Sequence, residues 1–365
     1  MLPSSLLPTW RQPTVRLMAN STPIAGVLAA EVVANNYYAA DQFRMSLALG
    51  ADPVATTAYW AEAANILFDL QYSLDGMGFV SLIQGHADEI TLDLLGGSIE
   101  VRGRDLTAGL IEARTQETFS NRTASEIAAL LALRHGLTPV VTVTTAPVGR
   151  YYQNEHDRIT LDQFSHATTE WDLLVFLARQ EGFDVFVQGT TLYFQPRPAT
   201  SPPSVVVRPD MLTDLKMRRS LTLARDLEVT VKSWNSRQKN AFVQTVRAQG
   251  SVGSRGVGSA PQQYVYVRPN LTPNQALQFA ETQLAELSLH ERVIDLRMPG
   301  ELTLTPRSTL LIDGTGTDFD QVYFIDSIER EIRPDRGYTQ RIRAKNTSPR
   351  TQTTTPGDTV GAVTG

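Results

Sequence analysis

Alternation of apolar and polar side chains dominates the first hundred residues. Residues 43–49, FRMSLAL, put Phe43, Met45, Leu47 and Leu49 on one face and Arg44, Ser46 and Ala48 on the other. That is the period of a half-buried strand. Comparable runs at 13–18, 27–33, 66–72, 79–84, 90–95 and 98–102 predict more strands, with Gly96-Gly97 as a turn. One short helix is expected near 53–64, PVATTAYWAEAA. Many short strands with little helix imply a closed barrel or a sandwich.

The period changes after Arg104. Thr123 and Glu126 form a capping box ahead of an apolar face of Ile127, Leu130 and Leu131, and Gly136 stands at the C-cap. The grammar repeats at 169–182. Thr169 caps with Asp172, the face is Trp171, Leu174, Val175 and Ala178, and Gly182 ends the helix. A hairpin follows, FDVFVQGTTLYFQP, turning at Gly189-Thr190 and stopped by Pro196 and Pro198. Residues 104–200 therefore form a helix-plus-hairpin module lodged in a β protein.

Strand alternation returns at 226–234, where Leu227, Val229 and Val231 interleave with Glu228, Thr230 and Lys232. Residues 248–260 read as a flexible Gly/Ser loop. Thr272-Pro273-Asn274-Gln275 opens a helix running to about His290, with Leu277, Ala280, Leu284 and Leu287 on one face. Further strands are expected at 301–304, 309–312, 322–328 and 338–345. The last twenty residues hold seven Thr and almost nothing to bury, the composition of an extended tail.

A chain of 365 residues points to two or three domains. Its 33 basic and 38 acidic residues leave a net charge of −5, too balanced to wrap nucleic acid. The absence of cysteine excludes disulfides, thiolate zinc sites, iron–sulfur clusters and Cys nucleophiles. The opening, MLPSSLLPTWRQPTVRL, lacks the basic region and apolar core of a signal peptide. No run approaches 18 uncharged apolar residues, so no membrane insertion is expected and folding belongs to a cytoplasm-like compartment.

Candidate chemistry is sparse. Asp313, Asp318, Asp320 and Asp326 crowd around DGTGTDFD, but the spacing fails the EF-hand pattern and suits a Gly/Asp turn. His86, His135, His156, His166 and His290 form no HExxH and no i, i+4 pair; His135 suits a helix C-terminus. No P-loop and no GxSxG elbow is present. Arg341, Arg343 and Lys345 alternate on the last strand, where a salt-bridged face outweighs phosphate binding. Tyr264-Val265-Tyr266 could stack a base, although packing is favoured in an acidic chain. The sequons at Asn20, Asn121, Asn270 and Asn346 carry no weight without a secretion signal. The expectation is a chain with no catalytic, cofactor or metal residues.

Three segments, in order, carry a resemblance. They are ADQFRMSLAL at 40–49; VRGRDLTAGLIEARTQETFSNRTASEIAALLALRHGL at 101–137 with TEWDLLVFLARQEGFDVFVQGTTLYFQP; and DLEVTVKSWNSRQK at 226–239 with the DQVYFIDSIER…GYTQRIRAKN unit. Together they resemble the phage late control protein D family, baseplate hub proteins of contractile tails, over roughly residues 13–346.

The resemblance implies an α+β, β-dominated fold. Two tube-like antiparallel β-barrel domains would carry an inserted helix-plus-hairpin module. Residues 1–103, completed by about 205–240, would be the first barrel and 104–200 the insert. Residues 241–345, with one long helix, would be the second barrel, and 346–365 the tail. It further implies a non-enzymatic homotrimer, a symmetry adaptor between a sixfold tail tube and a threefold spike. Its partners would be a tube or tube-initiator protein, the central spike and other baseplate proteins, with DNA only in transit. The particle would be a virion assembled in the host cytoplasm. Two alternatives stand beside this reading. One is a peptidoglycan-binding or wall-degrading tail protein acting through 104–200. The other is the hub of a phage-derived or type VI-like injection machine.

Overall fold

The computed structural model describes residues 12–74, 78–114, 117–145, 148, 158–160, 169–196, 203–223, 226–235, 240–248, 261–268, 271–333 and 337–346. Most of the expected Gly/Ser loop, the tail after Asn346, His156, His166 and Asn270 lie outside them. The described residues fall into two units. One lies within Met1–Arg197, Pro299–Thr305 and Ile328–Gln340, the other within Pro198–Met298, Pro306–Ser327 and Arg341–Gly365. The fold is β-dominated α+β, as expected, with large antiparallel sheets.

In the first unit the strands are β1 (Thr14–Ala19), β2 (Thr22–Ile24), β3 (Val27–Asn35), β4 (Gln42–Ala48), β5 (Leu67–Ser73), β6 (Val80–Asp93) and β7 (Ser98–Asp105). Helix α1 (Thr57–Glu62) precedes β5. The strands pair antiparallel in the order β3-β4-β7-β6-β5-β1-β2. Alternation predicted this correctly on β4: Phe43, Met45 and Leu47 are buried and Arg44 is exposed. The same core holds Leu17, Val32, Phe68, Leu70, Ile99, Val101 and Trp60, each such side chain contributing about 1.5–3 kcal/mol on burial.

The runs expected at 79–84 and 90–95 are one strand, β6. Gly85 and the acidic pair Asp88-Glu89 interrupt the apolar alternation, and a register shift between Ala87 and Glu89 restores it. The strand ends at Asp93, so Leu94 and Leu95 sit in the turn rather than on a core face.

The helix-and-hairpin region follows: α2 (Thr107–Glu112), β8 (Thr118–Ser120), α3 (Ala124–Arg134), β9 (Thr138–Val141), β10 (Arg158–Thr160), α4 (Glu170–Glu181), β11 (Phe183–Gln188) and β12 (Thr191–Pro196). Both capping boxes are formed, Thr123 with Glu126 and Thr169 with Asp172. Gly136 and Gly182 take positive φ at the helix ends, where an L side chain is disfavoured. Its core is separate from that of the sheet and joins Ile127, Leu131, Trp171, Leu174, Leu177, Val185, Leu192 and Phe194.

The second unit adds β13 (Val205–Val207), β14 (Asp214–Arg219), β15 (Leu227–Asn235), β16 (Asn240–Ala248), β17 (Gln262–Val267), α5 (Pro273–Ser288), β18 (Arg292–Pro299) and β19 (Thr309–Ile312). The chain's last strands are β20 (Val322–Arg333) and β21 (Gly337–Asn346). One strand order is β14-β18-β21-β20, with β19 antiparallel to β20 and β13 parallel to β19. A second, β16-β15-β17, packs its Leu227, Val229 and Val231 against Ala276, Ala280 and Leu284 of α5.

Within residues 205–240, β13, β14 and β15 have β19, β18, β16 and β17 as direct partners. Two expectations are corrected here. Residues 301–304 are not a strand, since the chain bends after β18 and Pro306 follows. The buried face of α5 runs through Ala276, not Leu277, which is exposed.

Candidate functional site

The aspartates of 313–326 do not converge. Asp313 pairs with Arg208 and Asp326 with Lys345 at 2.8 Å. Asp318 is exposed and lies 3.6 Å from Arg292. Asp320 accepts from the Thr315 hydroxyl at 2.6 Å and from the backbone N–H groups of Thr315 and Gly316. Burial pushes this carboxyl up, but those hydrogen bonds prevail and hold it below the usual carboxylate range. The loop is thus a turn closed by its own aspartate. Among the described residues no group of three or more His, Asp or Glu side chains could hold a metal ion.

Several of the other singled-out residues have partners within the fold. His135 meets the buried carboxylate of Glu170 at 2.6 Å. His290 is lowered by burial and by nearby Lys345. Arg341 clasps Asp295 with two bonds of 2.8 Å, so the last strand has the salt-bridged face that the alternation suggested. Tyr264 and Tyr266 face α5, where Tyr266 meets Phe279 edge-on at 5.7 Å, and Val265 points outward. Asn20 and Asn346 accept backbone N–H groups of Leu67 and Arg292.

The Gly103-Arg104-Asp105 segment, where β7 hands over to α2, has a physical cause. A Cβ on Gly103 would lie 2.2 Å from the His86 carbonyl oxygen and 2.4 Å from the Phe43 ring. Arg104 pairs bidentately with Asp88 and also with Glu112 of α2. Asp105 is buried; its N–H donates to the Asp41 carbonyl, and its carboxylate accepts from the Thr107 hydroxyl at 3.0 Å. Burial first, then the charge of Asp41, pushes its carboxyl up to about 8. The cluster ties the end of β7 to the start of α2.

Sequence reasoning missed two buried ionic clusters. Glu170 is read from sequence only as a first-turn acid, yet it takes both Arg134 and His135. Glu291 and Arg292 are buried beside Arg219. Neither shows a local signal, because the partners come from distant elements.

What the described residues do present is surface. Leu94, Leu95 and Leu221 stand in turns, and Val243, Val265 and Val267 lie on the outer face of the β16-β15-β17 sheet, all exposed. No described helix is long and apolar enough to cross a membrane.

No family model matches the chain, and no curated protein does. Solved structures do. The tail protein from Neisseria meningitidis superposes with a TM-score of 0.68 at 14% identity, over 92% of this chain and 96% of that one. The prophage MuSo2 tail protein from Shewanella oneidensis gives 0.67 at 15%, over 91% and 98%. An E. coli component of the type VI secretion system, itself structurally similar to the T4 bacteriophage tail proteins gp27 and gp5, gives 0.57 at 10%, over 93% and 79%. The chain therefore has a tail-protein fold along almost its whole length.

Proposed function

We propose that the chain is a structural baseplate hub of a contractile phage tail, of the late control protein D type. The observation that carries this is the mutual coverage with two tail proteins, above nine-tenths of each chain. Three copies form a ring between a sixfold tube and a threefold spike. The first sheet, β3 to β2, and the β-rich second unit act as two tube-like modules per chain. Six such modules face the tube, while the helix-and-hairpin module keeps the threefold order toward the spike. A net charge of −5 suits a channel that lets DNA pass without holding it. The role proposed is a structural one in the virion, in keeping with the tail proteins that the chain resembles in fold.

A cryo-EM map of the assembled particle tests this. The expected result is a C3 ring coaxial with the tube, with two barrels per chain that superpose on a tube subunit. Six copies, or one barrel per chain, overturns it. The likeness to the type VI component favours one second reading, the hub of a phage-derived injection machine. Particles with this ring and no packaged DNA would select it.

A further inference from the structure

Two strand edges with no strand partner among the described residues match each other. β14 ends its sheet: it pairs with β18 on one side only. β6 pairs with β5 only as far as His86, and the Ala87 N–H still donates to the Ile66 carbonyl, so from Asp88 to Asp93 it is paired on its β7 side alone. The first edge is basic, DLKMRR; the second is acidic, DEITLD. On β14, Lys216 and Arg218 share an exposed face, Lys216 lying 3.5 Å from Asp214, while Leu215 and Met217 occupy the other. On β6, Glu89, Thr91 and Asp93 share an exposed face, while Ile90 and Leu92 turn to the apolar core. Beyond Asp93 stand Leu94 and Leu95, 62% and 102% exposed, and beyond β14 stands Leu221, 69% exposed. Open edges and exposed leucines are liabilities unless another chain covers them.

We infer that β14 of one copy adds, in parallel, to the open stretch of β6 in the next copy. Lys216 then lies beside Glu89, Arg218 between Thr91 and Asp93, and Leu221 against Leu94. Either direction can set Lys216 and Arg218 against Glu89 and Asp93, but the antiparallel one puts Asp214 opposite Asp93, and only the parallel one brings the three leucines to one end. The two edges differ, so each copy uses one of each and the contact is head-to-tail, the kind that closes a ring. The inference rests on reading the chain as a ring-forming hub and names the edges that close it.

The chain has no cysteine, so introduced ones report without background. Full-length Leu94→Cys and Leu221→Cys chains are oxidised separately and together, while sedimentation equilibrium of the unmodified chain gives its oligomeric state. The expected result is a disulfide dimer in the mixture and none in either chain alone. Lys216→Glu in the Leu221→Cys chain should abolish it, and Glu89→Lys in the Leu94→Cys chain should restore it. Bonding of Leu94→Cys to Asp214→Cys instead overturns the parallel alignment. A trimer without the Leu94–Leu221 bond overturns the edge pairing and leaves the hub reading standing. A monomer with no cross-link at the highest soluble concentration also overturns the pairing, and the particle map decides the hub reading separately.

Discussion

The indole Nε1–H of Trp171 donates to the backbone carbonyl of Tyr38 at 2.7 Å, joining residues 133 apart in sequence. The Arg179 guanidinium, two turns further along α4, lies over the Tyr38 ring at 5.2 Å. Tyr38 itself takes a positive φ, a conformation worth about 1–3 kcal/mol of strain in a non-Gly residue. One face of α4 thus holds a strained tyrosine from the loop before β4, and the core of the helix-and-hairpin region extends beyond residues 104–200.

Trp171 should therefore carry two separable contributions. Trp171→Ala removes a buried indole and should cost about 3–5 kcal/mol. Trp171→Phe keeps most of the apolar volume and loses the bond to Tyr38, leaving that carbonyl without its donor, at about 1–2 kcal/mol. Denaturant midpoints of the full chain at constant slope would separate them. Equal losses would mean that the hydrogen bond, not the packing, dominates.

Gly103→Ala should destabilise the sheet, because a methyl group there meets the His86 carbonyl and the Phe43 ring inside ordinary contact. The obstacle is backbone on one side and a buried ring on the other, so neither yields cheaply. A cost of about 3 kcal/mol is expected. A shift in melting temperature within error would show that β6 and β7 slide apart freely at this point.

Asp105 makes a signed prediction. Its folded carboxyl titrates near 8 and its unfolded one near 4, so between those values the unfolded state has released a proton that the folded state keeps. Stability falls across that window as pH rises and is level above it. Asp105→Asn preserves a neutral side chain and should remove the slope, gaining the most at pH 8 and above. Parallel stability curves for the two proteins from pH 4 to 8 would contradict the assignment.

The elements that could be read from sequence are those whose causes lie close together in the chain. Thr169, Asp172, Trp171 and Gly182 define a capped helix within one segment, and Gly189 closes the hairpin a few residues later. The β14 and β18 strands do alternate, Leu215 and Met217 against Lys216 and Arg218, and Ile294, Leu296 and Met298 against Asp295 and Arg297, but the runs are short and rich in charge, and their partners lie far along the chain. The sequence puts Leu277 on the wrong side of α5 because several apolar stripes fit the helical period, and only the β16-β15-β17 sheet decides which is buried. Trp171 was legible as a core residue; its acceptor was not, because nothing near Tyr38 announces it. The surface reading had no local signal at all, since an open strand edge is a property of pairing and not of composition.

The cluster at the end of α3 and the start of α4 yields an asymmetry. Glu170 is 3% exposed and receives Arg134 at 2.5 Å and His135 at 2.6 Å. Both helix dipoles favour this arrangement, the cations lying at a C-terminus and the carboxylate at an N-terminus. Arg134 is far more exposed and also bonds Glu117 at 2.6 Å. Glu170→Gln leaves Arg134 solvated and still paired, so the loss should be about 1–2 kcal/mol. Arg134→Met leaves a buried carboxylate with His135 alone, and a stranded buried charge costs about 3 kcal/mol or more. The larger loss should come from the more exposed residue. Chemical denaturation of both variants, with the double variant closing the cycle, would measure it. A greater loss for Glu170→Gln would mean that Glu117 does not hold Arg134 in solution.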